Sequence, residues 1–247
     1  MSTLVNPTAT LATAKRVLLQ LRHDPRTIAL IIVVPSLLMT LLRYVFDSQL
    51  FFSRIAPALL GFFPFLIMFL IASITTLRER TSGTLERLMT TPMAKLDLLL
   101  GYALAFGLLA MVQVAVAVSV SIWLGLDLAG SLGWLLLVAL LDALLGLALG
   151  LLASAFATTE FQAIQFMPVV VLPQLLLCGL FQPRDHMATV LRWASNCLPL
   201  SYAVSALKTV ATHHSVGASF VRDVCVVGGS ALVALTLAAA TLRRRTA

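Results

Sequence analysis

The sequence predicts an all-α membrane protein with six transmembrane helices, and three observations carry that reading. Of 247 residues, 60% are hydrophobic and 11% charged, whereas a soluble domain has about 25% charged residues. Six apolar runs are each long enough to cross a hydrocarbon core of about 30 Å at about 1.5 Å per residue. Lys and Arg gather in short clusters at the ends of these runs. Backbone amides in hydrocarbon need partners within the chain, so runs of this length fold as helices rather than strands. Residues 1–247 are expected to form one membrane domain, with no room for a soluble catalytic domain beside it.

Residues 1–27 come first. Leu11, Ala14, Val17, Leu18 and Leu21 recur at helical spacing, Lys15, Arg16, Gln20 and Arg22 fill the other side, and Asp24-Pro25 ends the pattern. That periodicity predicts an amphipathic helix lying in the membrane interface rather than a solvated tail. A polar stretch precedes the first apolar run and no small-x-small site follows it, so no cleavable leader is expected and the first run stays as a span. The spans fall near 28–46, 55–77, 98–124, 132–157, 163–182 and 223–242, with Pro35, Pro64, Pro168 and Pro173 introducing kinks. Residues 183–222 are too polar to cross, yet contain Leu191, Trp193, Leu198, Leu200, Tyr202 and Leu207. They are expected to form short helices packed against the membrane surface.

Six spans put both termini on one side. The segments on that side hold Lys15, Arg16, Arg22, Arg26, Arg78, Arg80, Arg87, Lys95, Arg243, Arg244 and Arg245, eleven basic residues; the other side holds Arg43, Arg54, Arg184, Arg192, Lys208 and Arg222, six. The excess favours termini in the cytoplasm, with Arg43 snorkelling to the outer interface. Because the basic residues lie at span ends, the net charge of +7 reflects topology and argues against nucleic-acid binding. Cys178, Cys197 and Cys225 are scattered, and His23, His186, His213 and His214 offer no third ligand at metal-site spacing, so no metal site and no disulfide framework is indicated.

No catalytic residue is proposed. The chain lacks a Gly-x-x-x-x-Gly-Lys-Ser/Thr loop for nucleotide phosphates, a Ser/His/Asp arrangement and paired carboxylates. A membrane enzyme acting on lipid would need acidic or His clusters near the interface, and the sequence has none. Three polar residues fall inside spans. Asp142, within Leu-Leu-Asp-Ala-Leu-Leu, costs about 2.5–3.5 kcal/mol to insert and should face the bundle or a cavity, bonded to a neighbouring helix in preference to a substrate or proton role. Gln113 and Gln174 either line a path or tie helices together, and tying is the simpler reading. Gly146 and Gly150 form a Gly-x-x-x-Gly pattern that permits close helix contact but is common by chance in apolar sequence.

The stretch 78–92, Arg-Glu-Arg-Thr-Ser-Gly-Thr-Leu-Glu-Arg-Leu-Met-Thr-Thr-Pro, packs five charges between two apolar spans. Leu85, Leu88 and Met89 make a short apolar stripe and Pro92 stops the helix. Such a stripe fits a groove on another protein, or the segment is a solvated connector; spacing alone leaves both open. The same fifteen residues resemble the cytoplasmic signature between the second and third spans of type-2 ABC exporter permeases. Leu-Cys-Gly-Leu-Phe-Gln-Pro at 177–183 and Leu-Pro-Leu-Ser-Tyr-Ala at 198–203 resemble that family's end of the fifth span and its outer helical loop. Lys208 departs from the family pattern, which more often has Arg or Gln there.

The resemblance implies a permease subunit, itself no enzyme, in the cell inner (cytoplasmic) membrane. In this picture residues 78–97 form a cytoplasmic coupling helix seated on a separate ABC ATPase subunit, which holds the ATP and Mg. Glu79, Arg80, Gly83, Thr84, Leu85, Glu86, Arg87 and Leu88 match the motif, Gly83 allowing a tight entry and the charges orienting the helix on its partner. A second permease copy, identical or related, completes the assembly within membrane lipid. The family exports drugs, lipids, polyketide conjugates and polysaccharides. Abundant Leu, Ala and Val and the compact outer loop favour a hydrophobic or amphipathic cargo; polysaccharide export and a non-transporting anchor for an ATPase are the alternatives.

Overall fold

The computed structural model describes residues 6–82 and 95–241. Among them the chain is helical: α1 (Pro7–Arg22), α2 (Pro25–Phe46), α3 (Gln49–Thr81), α4 (Lys95–Trp123), α5 (Leu132–Ser154), α6 (Glu160–Leu177), a 3-10 turn at Arg184–His186, α7 (Thr189–Cys197), α8 (Pro199–Thr212) and α9 (Ala218–Thr241). Six of these, α2 to α6 and α9, are long and apolar enough to cross a membrane.

Capping residues explain where the helices begin beyond the apolar runs. Ser48 accepts the Phe51 N–H and starts α3 six residues before the expected position; Thr159 does the same for α6 through Gln162. At its other end α3 continues past the apolar run through Arg78, Glu79 and Arg80. Its 33 residues correspond to about 50 Å, well over the hydrocarbon thickness, so its charged end emerges on the side of the termini. The fifth span ends earlier than expected, at Leu177, because Gly179 takes a φ of +88° and turns the chain.

The centre of the bundle is α3 against α5. A Cβ added at Gly146 would lie 2.2 Å from the Phe65 carbonyl oxygen, and one at Gly150 2.3 Å from that of Phe69. The two backbones therefore touch where the Gly-x-x-x-Gly pattern removes side chains. Around this contact Phe65, Met68, Phe69, Leu145 and Leu147 are fully enclosed. By contrast α2 and α6 are peripheral, with Leu30, Val33, Leu37, Val169, Leu172 and Leu176 exposed.

One expectation changes. Helix α8 does not lie on the surface: Leu200, Ala203, Val204, Leu207 and Val210 are buried as it packs against α3, α5 and α9. At 14 residues it is too short to span, so its carbonyls need partners, and Gly130 and Ala129 donate to Val210 and Ala211 at 2.9 and 3.0 Å. Arg43 reaches the end of a neighbouring helix. Its Nε donates to the Leu124 carbonyl at 3.2 Å, beside the C-terminal end of α4.

Gly146→Ala and Gly150→Ala should each destabilise the protein by at least ~1–3 kcal/mol, because the obstacle is main chain and cannot rotate away. Gly228→Ala and Gly229→Ala, whose added Cβ meets nothing within 4 Å, should be neutral or mildly stabilising. Thermal unfolding of the detergent-solubilised variants measures both.

Candidate functional site: the charged end of α3

Successive residues on a helix point about 100° apart, so three consecutive charges at the end of α3 reach three different neighbours. Arg78 donates to both carboxylate oxygens of Glu160, at 2.8 and 3.0 Å, at the start of α6. Glu79 turns to α1: its Oε2 accepts from Arg16 Nη2 at 3.1 Å, and its Oε1 lies 3.1 Å from Arg16 Nη1 as an ion contact without hydrogen-bond alignment. Arg80 donates to the carbonyl of Ser154, the last residue of α5. Arg16 also donates to the Tyr102 hydroxyl of α4 at 3.3 Å.

The other arm of the insert is held as well. Asp97 in the first turn of α4 is buried and accepts the Asn6 N–H at 2.7 Å. Thr13 of α1 sits so close to α4 that a Cβ at Gly101 would lie 2.5 Å from its Cβ. Helix α1 therefore bridges the chain entering and the chain leaving 83–94. Its stripe behaves partly as expected: Ala14, Val17 and Leu21 are buried, while Leu11 is 62% exposed. Arg16, assigned by spacing to the polar side, points instead at the end of α3.

Burial ranks these contacts. The side chains of Arg16 and Glu79 are 27% and 8% exposed, against 61% and 47% for Arg78 and Glu160. A charged hydrogen bond shielded from water contributes about 1.5–3 kcal/mol, an exposed pair about 0.2–1 kcal/mol. The α1 clamp is thus the firmer tie. Of the motif residues, Glu79 and Arg80 bond within the chain, while Gly83, Thr84, Leu85, Glu86, Arg87 and Leu88 lie outside the described residues.

The intramembrane polar residues separate. Gln174 ties two helices together. Its Oε1 accepts the Leu200 N–H at 3.3 Å and its Nε2 donates to the Val170 carbonyl, so α6 caps α8, whose own N-cap Leu198 has no capping side chain. Gln113 is buried on α4, and both its amide atoms are without a partner among the described residues. Asp142 does not make the expected bond to a neighbouring helix. It is fully buried on α5, facing Gly61 of α3, and both carboxylate oxygens are without a partner among the described residues. At the opposite end of the bundle from the charged cluster, a cavity of about 720 Å³ is lined mainly by apolar residues, among them Phe46, Phe51, Phe62, Phe63, Leu175 and Phe181, with Ser53, Arg54, Lys208 and Thr212 also on its wall.

Missed by sequence reasoning were Glu160, Tyr102, Asp97 and the Ser154 carbonyl, each tens of residues away from its partner in the chain. The fold and this end of α3 define a multi-pass helical membrane protein whose charged insert is braced by its own helices. Residues 8–211 match the model of the ABC-2 type transporter family, and the chain belongs to that family of ABC permeases. It is 28% identical over 178 residues to the probable multidrug ABC transporter permease YbhS of Escherichia coli (strain K12), covering 71% of this chain and 47% of that one. It is 25% identical over 161 residues to ABC transporter G family member 20 of Dictyostelium discoideum, covering 65% and 22%. It is 26% identical over 137 residues to the linearmycin resistance permease protein LnrN of Bacillus subtilis (strain 168), covering 55% and 35%. In each comparison the aligned region covers under half of the relative's length.

A double-mutant cycle of Arg16→Gln and Glu79→Gln should give a coupling energy of about 1–3 kcal/mol. The Arg78→Gln and Glu160→Gln cycle should give about 0.2–1 kcal/mol and vanish at high salt. Unfolding midpoints of the four single and two double variants supply both values.

Proposed function

We propose that the chain is the transmembrane permease subunit of an ATP-driven exporter, working with a separate ABC ATPase and a second permease copy. The observation that carries this is the brace at the end of α3. Glu79, Arg80 and Arg78 tie the end of α3 to α1, α5 and α6, so motion delivered to that end would be shared by these helices. ATP binding that favours the closed ATPase pair would shift these helices together and change access between the two permeases. ATP and Mg would sit on the ATPase, where the chemistry occurs.

The cargo is proposed to be a hydrophobic or amphipathic drug-like or lipid-like molecule. Two relatives carry multidrug and linearmycin resistance in their names, and the phenylalanine-lined cavity has the size and lining of a small-molecule site. The same proposal sets both termini and the 83–94 segment in the cytoplasm of a cell with its cytoplasmic membrane as the host, and α7 and α8 outside.

Leu85→Asp should leave membrane insertion and ATP hydrolysis in place while abolishing ATP-dependent dye flux in proteoliposomes holding permease and ATPase. Flux at the wild-type level would remove the coupling role; a permease that never co-purifies with an ATPase would remove the exporter reading. For orientation, Ser82→Cys should resist and Ser215→Cys accept an impermeant thiol reagent added outside intact cells, in a background lacking the native cysteines. The reverse pattern would invert the topology.

A further inference from the structure

The apolar cavity has a neighbour. It shares Gly179, Pro183, Lys208 and Thr212 with a second cavity of about 560 Å³ on the same end of the bundle. Arg184, Arg192, Lys208, His213 and Arg222 line this second space with a single carboxylate, Asp185. Arg222 is committed to Asp223 at 2.8 Å. Arg184, Arg192 and Lys208 are not neutralised by ion pairs among the described residues.

Two of the cations are held in place. The Lys208 ammonium, at the junction of the two cavities, donates to the Gly179 carbonyl at 2.5 Å, a neutral acceptor that leaves its charge uncompensated. Burial lowers its pKa below the ordinary range, a cost that an adjacent anion would reverse. The Arg184 guanidinium stacks on the Tyr202 ring at 5.2 Å and donates to Asn196, while its buried Nε has no acceptor among the described residues. A held guanidinium and an uncompensated ammonium lining the same cavity match an anionic oxygen group.

We propose that these adjoining cavities together form one binding site for a single-chain anionic amphiphile, its carboxylate or phosphate head between Lys208 and Arg184 and its tail among Phe46, Phe62, Phe63 and Phe181. This inference rests on the amphiphile-export reading above and narrows it to anionic cargo. Charge complementarity selects the head. The adjoining aromatic cavity, which shares four lining residues with the cationic one, selects an attached chain over a free anion, since a free anion would leave that surface in contact with water.

The full-length permease in phosphatidylcholine nanodiscs is titrated, without ATP or ATPase, with 11-(dansylamino)undecanoic acid and with its methyl ester. The acid should bind at least about tenfold more tightly, equal to about 1.4 kcal/mol. Lys208→Gln and Arg184→Gln should each bring the acid down toward the ester without changing ester binding, Lys208→Arg should retain tight acid binding, and Phe62→Ala should weaken both. Equal affinity for acid and ester, or acid binding indifferent to Lys208→Gln in a monodisperse preparation, overturns the proposal. Displacement of the probe by inorganic phosphate alone would reassign the site to a free anion, and equally effective displacement by phosphatidylglycerol would reassign it to bilayer lipid; each outcome refutes the amphiphile. Because this binding requires no nucleotide, its failure leaves the coupling reading intact, and intact binding with absent flux defeats only the export reading.

Discussion

The backbone contact between α3 and α5 is the constraint from which the other positions follow. Gly146 and Gly150 remove the side chains that would hold the two helices apart, and the carbonyls of Phe65 and Phe69 occupy the space. Lipid tails are as apolar as leucine, so close fit has to supply the attraction that water supplies in a soluble core. With α3 fixed at the centre, α8 can pack along it at one end and the charges of its last turn can reach three helices at the other.

Those charges give α3 a second role. A transmembrane helix could end where its apolar run ends, but this one carries Arg78, Glu79 and Arg80 beyond it and directs them to its own neighbours. The firmest tie goes to α1, which also holds Asp97 at the start of α4 through the Asn6 amide. Two of the charges that the motif assigns to a partner, Glu79 and Arg80, are engaged within the chain. Rigid attachment on both sides is what a segment needs if motion applied to it is to move the spans rather than be lost in a loose loop.

At the far end the arrangement is different. Helix α8 is too short to span and packs into the bundle instead, with its Leu200 N–H met by Gln174 and the carbonyls of Val210 and Ala211 by Gly130 and Ala129. This satisfies backbone groups that hydrocarbon would leave unpaired, and it carries Lys208 from a loop position into the boundary between an aromatic and a cationic space.

The sequence by itself determined the six spans, the short amphipathic helix ahead of them and the family, because apolar runs, 3.6-residue periodicity and the 78–92 motif are local properties of consecutive residues. It also flagged Asp142, Gln174 and the Gly146 and Gly150 pair, though composition could not distinguish a real helix contact from a chance pattern. Only the tertiary structure decided that Gly146 and Gly150 meet main chain, that Gln174 caps another helix and that Asp142 has no hydrogen-bond partner among the described residues. It alone brought Glu79 to Arg16, 63 residues apart, and Arg78 to Glu160, 82 apart. Such pairings depend on which helices become neighbours, and that is fixed by the packing of whole surfaces rather than by any signal adjacent to the residues concerned.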